Sequence, residues 1–279
     1  MSMEMDPGTF DAEKLKGLME LGVNRVSLGV QAFQEEMLRG CGRAHGVKEI
    51  YEAIETVKSC GVENWSVDLI SSLPHQTPEM WEESLQLVIE AQPTHVSVYD
   101  LQVEQGTKFG ILYTPGEFPL PSEIQSADFF RMASTTLSNA GYNHYEISSY
   151  CKGGFECSTI LPIGRTNLSM SLETEVVGCG GNSVDAKDVA MDVVMLSLRT
   201  ARGLDLKSFR NSFGSSFVAS LCMAYRPYVK SGHVVCLDEQ RRPVTSDEFS
   251  SLLSKDDGIE ERLAFVRLSD PDGSSYQMN

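Results

Sequence analysis

Four apolar, partly β-branched runs in this chain each finish on polar side chains. The first carries Glu4 and Asp6, the second Gln31, the third Asp68, and the fourth Asp100, Gln102 and Glu104. At the carboxyl ends of parallel strands such groups converge on one mouth, where barrels and open α/β sheets bind their ligands. A single acidic residue after a strand is commonly a helix cap. Asp68, however, is followed by Leu69 and Ile70, so it lies inside an apolar run and must find a donor or a ligand hydroxyl. Arg43, just beyond Cys41-Gly42, reads by default as a surface arginine, though one just beyond a strand's polar end can also clamp a carboxylate bidentately. His45, His75, His95, His144 and His233 show no metal spacing and read as turn or hydrogen-bonding residues.

The elements that must carry these groups follow from pattern. Asp6-Pro7-Gly8-Thr9 makes a turn after a short strand at 2–5, and Thr9 or Asp11 caps a helix over 12–21 that ends at Gly22. Arg25 to Val30 is a buried parallel strand delivering Gln31, after which the period turns helical towards Arg43. A helix over 47–60 has Ile50, Ile54 and Val57 on one face, and Trp65 to Ile70 forms the next strand. Thr77-Pro78 opens a helix that Pro93 stops, and His95 to Val103 reads as the fourth strand. The order β-α-β-α-β-α-β predicts a parallel sheet or barrel with right-handed crossovers. A long loop over 104–121, a helix over 122–140 and an aromatic strand over 142–148 complete this part.

From 153 to 185 Ser, Thr, Gly and Asn dominate and no apolar face can be drawn, which reads as an irregular linker. Beyond it come helices over 186–199, 205–213 and 217–230, then runs at 234–237 and 265–268 that can pair around a helix near 246–254. The expected organisation is therefore 1–152, a linker at 153–185, and a helical or winged-helix-like domain over 186–279.

Composition narrows the partners. A formal charge of −16 argues against a nucleic-acid backbone, because counterion release needs clustered Lys and Arg. No apolar run approaches bilayer-spanning length, and the first residues resemble neither a signal nor a transit peptide. As written, the chain is expected to be cytoplasmic, with a chloroplast or mitochondrial address for a longer form. Seven cysteines without a Cys-x-x-Cys suit a reducing compartment better than a disulfide or zinc framework.

Several stretches carry a family resemblance. Ser2-Met-Glu-Met-Asp-Pro-Gly-Thr9, Asn24-Arg-Val-Ser-Leu-Gly-Val-Gln-Ala-Phe33 and Leu38-Arg-Gly-Cys-Gly-Arg-Ala-His45 are three of them. Val67-Asp-Leu-Ile-Ser-Ser-Leu-Pro-His-Gln-Thr77, His95-Val-Ser-Val-Tyr-Asp-Leu-Gln-Val103 and Met195-Leu-Ser-Leu-Arg-Thr-Ala-Arg-Gly-Leu-Asp-Leu206 continue the series. The chain resembles the oxygen-independent coproporphyrinogen III oxidase-like proteins of the radical SAM superfamily, nearest to their haem chaperone branch and in a plant-like version. The resemblance implies a partial (β/α) TIM-type barrel lacking its first strands, with a small C-terminal helical or winged-helix-like domain. It implies a mouth that holds a [4Fe-4S] cluster and S-adenosylmethionine, with Glu4 on the ribose and Gln31, Arg43 and Asp68 lining the same pocket. Gln102 would lie near the adenine or a second ligand. Haem or porphyrin, and haem-accepting proteins, are the implied partners.

Two departures qualify this. The family's Cys-x-x-x-Cys-x-x-Cys is absent from these 279 residues, and its place lies before Met1. After Cys157 the family's His-Asn, Tyr-Trp and Gly-x-Gly segment is replaced by Ser158-Thr-Ile-Leu-Pro-Ile-Gly-Arg165. The expectation is a truncated form unable to hold the cluster and catalytically inactive. The alternatives are haem binding or transfer without radical chemistry, with His45, His75, Cys41 or Cys60 as axial ligands, or an inactive fragment.

Overall fold

The computed structural model describes residues 1–156, 186–253 and 263–269. The chain divides into two compact units, Met1–His144 with Ser148–Glu156, and Tyr145–Ile147 with the residues from 157 on.

The first unit carries the strands β1 (Ser2–Met5), β2 (Arg25–Gln31), β3 (Trp65–Ser71) and β4 (His95–Asp100), the first half of β5 (Asn143–Glu146), and β6 (Ser149–Cys151). Between them lie α1 (Ala12–Glu20), α2 (Glu35–Gly40), α3 (Val47–Ser59), α4 (Pro78–Ala91), α5 (Lys108–Leu112) and α6 (Glu123–Asn139). The sheet order is β1-β2-β3-β4-β6-β5, and β1 to β4 run parallel. The parallel run predicted from the alternation is therefore present. Three details differ. The fourth strand stops at Asp100, residues 108–112 form a short helix inside the predicted loop, and the aromatic strand predicted over 142–148 is confined to β5, with a further strand, β6, beyond it that pairs antiparallel with β4.

Local chemistry sets the helix starts. Asp11 Oδ1 accepts the Lys14 N–H at 2.9 Å, Thr77 accepts from Met80 with Pro78 in the first turn, and Ser122 exchanges bonds with Gln125. One face of the sheet, with Val26, Leu28, Val30, Val67, Leu69, Val96 and Val98, is buried in one core with Leu15, Ile50, Val57, Trp81, Leu85 and Leu137. Trp81 has its indole N–H satisfied by the Phe129 carbonyl at 2.9 Å. Period-two alternation then forces the intervening residues onto the opposite face. In register that face carries Glu4 beside Ser27, Ser27 beside Ser66, Ser66 beside His95, and Asp68 beside Ser97.

The second unit contains α7 (Ala186–Leu198), α8 (Leu206–Phe213), α9 (Ser215–Lys230) and α10 (Ser246–Leu253). Its four strands β7 (Leu204–Asp205), β8 (Val234–Leu237), β9 (Pro243–Val244) and β10 (Phe265–Leu268) lie in the order β7-β10-β8-β9. The expected pairing of 234–237 with 265–268 is antiparallel and continuous from Phe265↔Leu237 to Leu268↔Val234. Leu204, Val234, Cys236 and Val266 pack with Phe209, Val218 and Phe249 in one apolar cluster. The predicted linker falls almost wholly on 157–185, outside the described residues.

Candidate functional site

The polar face of the first unit narrows to one place on β2. Between Leu28 and Gln31 the pairing with β3 slips, so that Leu28 faces Val67 while Gln31 faces Leu69. Gln31 takes a left-handed conformation, with φ at 68°, an uncommon state for a residue carrying a Cβ. The extra residue and the reversed φ turn its side chain back along the strand. A Cβ placed on Gly29 would lie 3.0 Å from Gln31 Nε2, 2.9 Å from Asp6 Oδ1 and 3.9 Å from Arg43 Nη1. Glycine at 29 is what allows these three groups to close over the strand. Arg43 Nη1 meets Asp6 Oδ1 at 2.9 Å, so its present partner is a carboxylate of the protein itself, through one contact rather than a fork.

Two residues back along the same face, Ser27 Oγ donates to Asp68 Oδ2 at 2.8 Å and receives the Ser66 hydroxyl at 2.6 Å. Ser97 supplies a further side-chain bond to Asp68. Burial pushes the Asp68 carboxyl above the usual range. The two serine bonds pull against this, the Glu4 charge adds to it, and Arg25 opposes it weakly. The serines are the donors that a carboxylate inside an apolar run requires. His95, 2% exposed on the same face, has its imidazole pushed down to about 3 by burial, with the Arg25 charge contributing.

Glu4, Gln31, Arg43 and Asp68 are thus brought around the Ser27–Gly29 stretch of β2. Gln102 does not join them. It follows the end of β4, is exposed, and its amide donates to Asp100 Oδ2 at 3.2 Å. Pattern reading passed over Arg25, Ser27, Ser66 and Ser97, and took His95 only as a turn or hydrogen-bonding residue. Their signal is the alternation Arg25, Ser27, Gly29 and Ser66, Asp68 within runs that otherwise read as apolar.

Among the described residues no three His, Cys, Asp or Glu side chains are grouped to hold a metal. Cys41, Cys60, Cys151, Cys222 and Cys236 form no disulfide, and burial pushes Cys151 and Cys236 up to about 12. Cys41 is also raised by burial despite Arg43. His45 is 6% exposed, hydrogen-bonds the Val30 backbone, and leaves Nε2 without a partner. His75 is exposed and meets Phe118 edge-on at 5.2 Å. Cys60 Sγ lies 3.8 Å from the Ala12 carbonyl.

Residues 1–88 match the model of the Radical SAM superfamily, and residues 184–246 match that of the HemN C-terminal domain. These two matches support a HemN/HemW-like radical SAM family over the stretches they cover. The protein named heme chaperone HemW of Synechocystis is 46% identical over 157 residues, covering 56% of this chain and 38% of the relative. HemW of Escherichia coli is 35% identical over 182 residues, covering 65% of this chain and 46% of the relative. The chain therefore spans less than half the length of these relatives. Among solved structures, coproporphyrinogen III oxidase (HemN) from Escherichia coli superposes with a TM-score of 0.64 at 20% identity, over 88% of this chain and 66% of that one. This likeness supports the barrel-type α/β fold. Among the described residues no helix is long and apolar enough to cross a membrane.

Proposed function

We propose that the polar floor around Gly29 is the S-adenosylmethionine-binding half of a radical SAM site of porphyrin or haem metabolism. The observation that carries this reading is the convergence of Glu4, Gln31, Arg43 and Asp68 on one stretch of β2. The donor set suits such a ligand. Glu4 and Asp68 accept from ribose hydroxyls, Gln31 offers an amide to the same pocket, and Arg43 exchanges Asp6 for the ligand carboxylate. Gln102 stays outside this pocket, at the end of β4.

Bound to an open cluster iron, S-adenosylmethionine supplies radical chemistry through its reductive cleavage. The 279 residues contain no Cys-x-x-x-Cys-x-x-Cys, and burial raises the thiols of Cys41, Cys151 and Cys236. The residues present do not fit a [4Fe-4S] cluster, so these 279 residues bind and orient without carrying a radical step. Titration of the chain with S-adenosylhomocysteine should show binding that weakens about tenfold in Glu4→Gln and in Asp68→Asn. A parent chain that gives no binding heat overturns the reading. Anaerobic reconstitution with iron and sulfide should leave no cluster absorbance and produce no 5′-deoxyadenosine.

A second reading, haem binding and transfer without radical chemistry, is favoured by the relatives named as haem chaperones and by the matched C-terminal domain. Haem-accepting proteins would be its partners. A haem titration with no Soret shift removes it.

A further inference from the structure

His45 is a buried imidazole that the polar floor, as described so far, leaves without a task. It stands two residues after Arg43 and just before Gly46, the residue that caps α3. The ring is 6% exposed and hydrogen-bonds the backbone of Val30, the residue that follows Gly29 on β2. Among the described residues its Nε2 has no hydrogen-bond partner. A buried acceptor left in that state costs the fold, and a proton relieves it only where a carboxylate can meet the new N–H.

The charged groups acting on the ring are Arg43, which disfavours a proton there, and Asp6 and Glu49, which favour one. Glu49 is committed, because its Oε2 accepts the Gly46 N–H at 2.8 Å in the cap of α3. Glu35, reaching the same helix end from α2, is likewise held by the Val47 N–H at 2.8 Å. Asp6 is held less firmly. It meets Arg43 through one 2.9 Å contact, with the Asp6 side chain 52% and the Arg43 side chain 31% exposed, and such a pair contributes little. Both groups crowd Gly29, where an added Cβ would lie 2.9 Å from Asp6 Oδ1 and 3.9 Å from Arg43 Nη1. Since the ring is anchored at Val30, the imidazole, the carboxylate and the guanidinium gather at adjacent residues of one strand.

We propose that His45 is a positioning residue for this site: by gaining or losing a proton from solvent it sets whether Asp6 or an incoming carboxylate holds Arg43. With the ring neutral, Asp6 stays on Arg43 and the guanidinium is capped. With the ring charged, Asp6 is drawn to the imidazolium and Arg43 is repelled. The guanidinium is then left to a ligand carboxylate, which it can grip through two parallel bonds instead of one. In the free chain burial, with the Arg43 charge adding to it, holds the imidazole below its usual range. A ligand carboxylate brings a further negative charge, so binding draws the ring back up and takes up a proton. This inference rests on the reading of the polar floor as an S-adenosylmethionine site and adds a pH-linked step to it.

The experiment titrates the full chain with S-adenosylhomocysteine by calorimetry at constant ionic strength, between about pH 5.5 and pH 7.5. The affinity of the parent relative to His45→Gln should grow about tenfold as pH falls across this range, the factor that one unit of imidazole pKa supplies. Taking the ratio cancels the titration of Asp68, which both chains share. Repeating the titration in buffers of different ionisation enthalpy should show proton uptake in the parent that is missing from His45→Gln. Asp6→Asn should bind more tightly than the parent at the upper end of the range and depend less on pH, a gain that misfolding cannot imitate. Far-ultraviolet circular dichroism checks the fold of each variant. Binding with the same pH dependence in the parent and in folded His45→Gln, or no gain in Asp6→Asn, overturns the proposal and leaves the reading of the site intact. No binding by the parent at any pH overturns both.

Discussion

Ser27 Oγ stands 2.8 Å from Asp68 Oδ2, bridging strands β2 and β3 across the polar face of the sheet. The bond offsets part of the desolvation that raises the Asp68 carboxyl. The carboxylate is thus a cost to the fold that a ligand with hydroxyl donors would relieve.

Asp68→Asn should raise the thermal midpoint of the free chain near pH 7 by a few degrees while weakening S-adenosylhomocysteine binding. A group whose folded pKa is raised destabilises the fold once ionised, so removing the charge helps above the ordinary carboxylate range and does nothing well below it. Melting curves at pH 7 and pH 3 test the sign.

His95 should make the first unit acid-sensitive. Its folded pKa of about 3 lies below the ordinary 6.5, so its contribution is complete above pH 6.5 and is lost as pH falls towards 3. The loss is on the order of 4–5 kcal/mol if the whole interval is traversed. Asp68 works in the opposite direction, because its stabilising protonated form is lost as pH rises from 3.8 towards its raised folded value. Urea unfolding between pH 4 and 7 should therefore show a slope that flattens in His95→Gln.

Gly29→Ala should cost about 1–3 kcal/mol and abolish binding at the polar floor. The added methyl would sit 2.9 Å from Asp6 Oδ1 and 3.0 Å from Gln31 Nε2, so it must displace the groups that define the pocket. Chemical denaturation together with ligand titration measures both losses.

Gly203→Ala should destabilise the second unit more strongly, by about 2–4 kcal/mol. Here the methyl would meet the Val266 carbonyl at 2.5 Å, which is backbone and cannot rotate away, and the glycine has φ at 74°. Hydrogen exchange at β8 and β10 should quicken relative to β2 and β3.

The parallel strands and the helices were legible because their apolar periods are strong and their caps are local. Asp11, Thr77-Pro78 and Ser122 each fixed a helix start within a residue or two. Strand ends were less legible. Nothing in His95 to Val103 marks Asp100 as the last paired residue, because the limit is set by β3 ending at Ser71 beside it. The strand-end rule named Glu4, Gln31 and Asp68 as one group, and Arg43 through the loop. It could not foresee that Gln31 reaches Gly29 through a slipped register, since a bulge is decided between strands. The serine floor went unread because small polar residues spaced by two in an apolar run look like weak strand residues until their neighbours are known.

Strands β1, β2, β3 and β4 lie in the sheet in the order in which they occur in the chain. Each can therefore dock on the edge left by its predecessor as the polypeptide is made, with short loop closures and no need to wait for distant sequence. Assembly of the pocket follows the same clock. Glu4 is placed first, Gln31 and Arg43 next, and Asp68 only once two strands are ready to receive it. The carboxylate that most resists losing water is the last of the four to be synthesised.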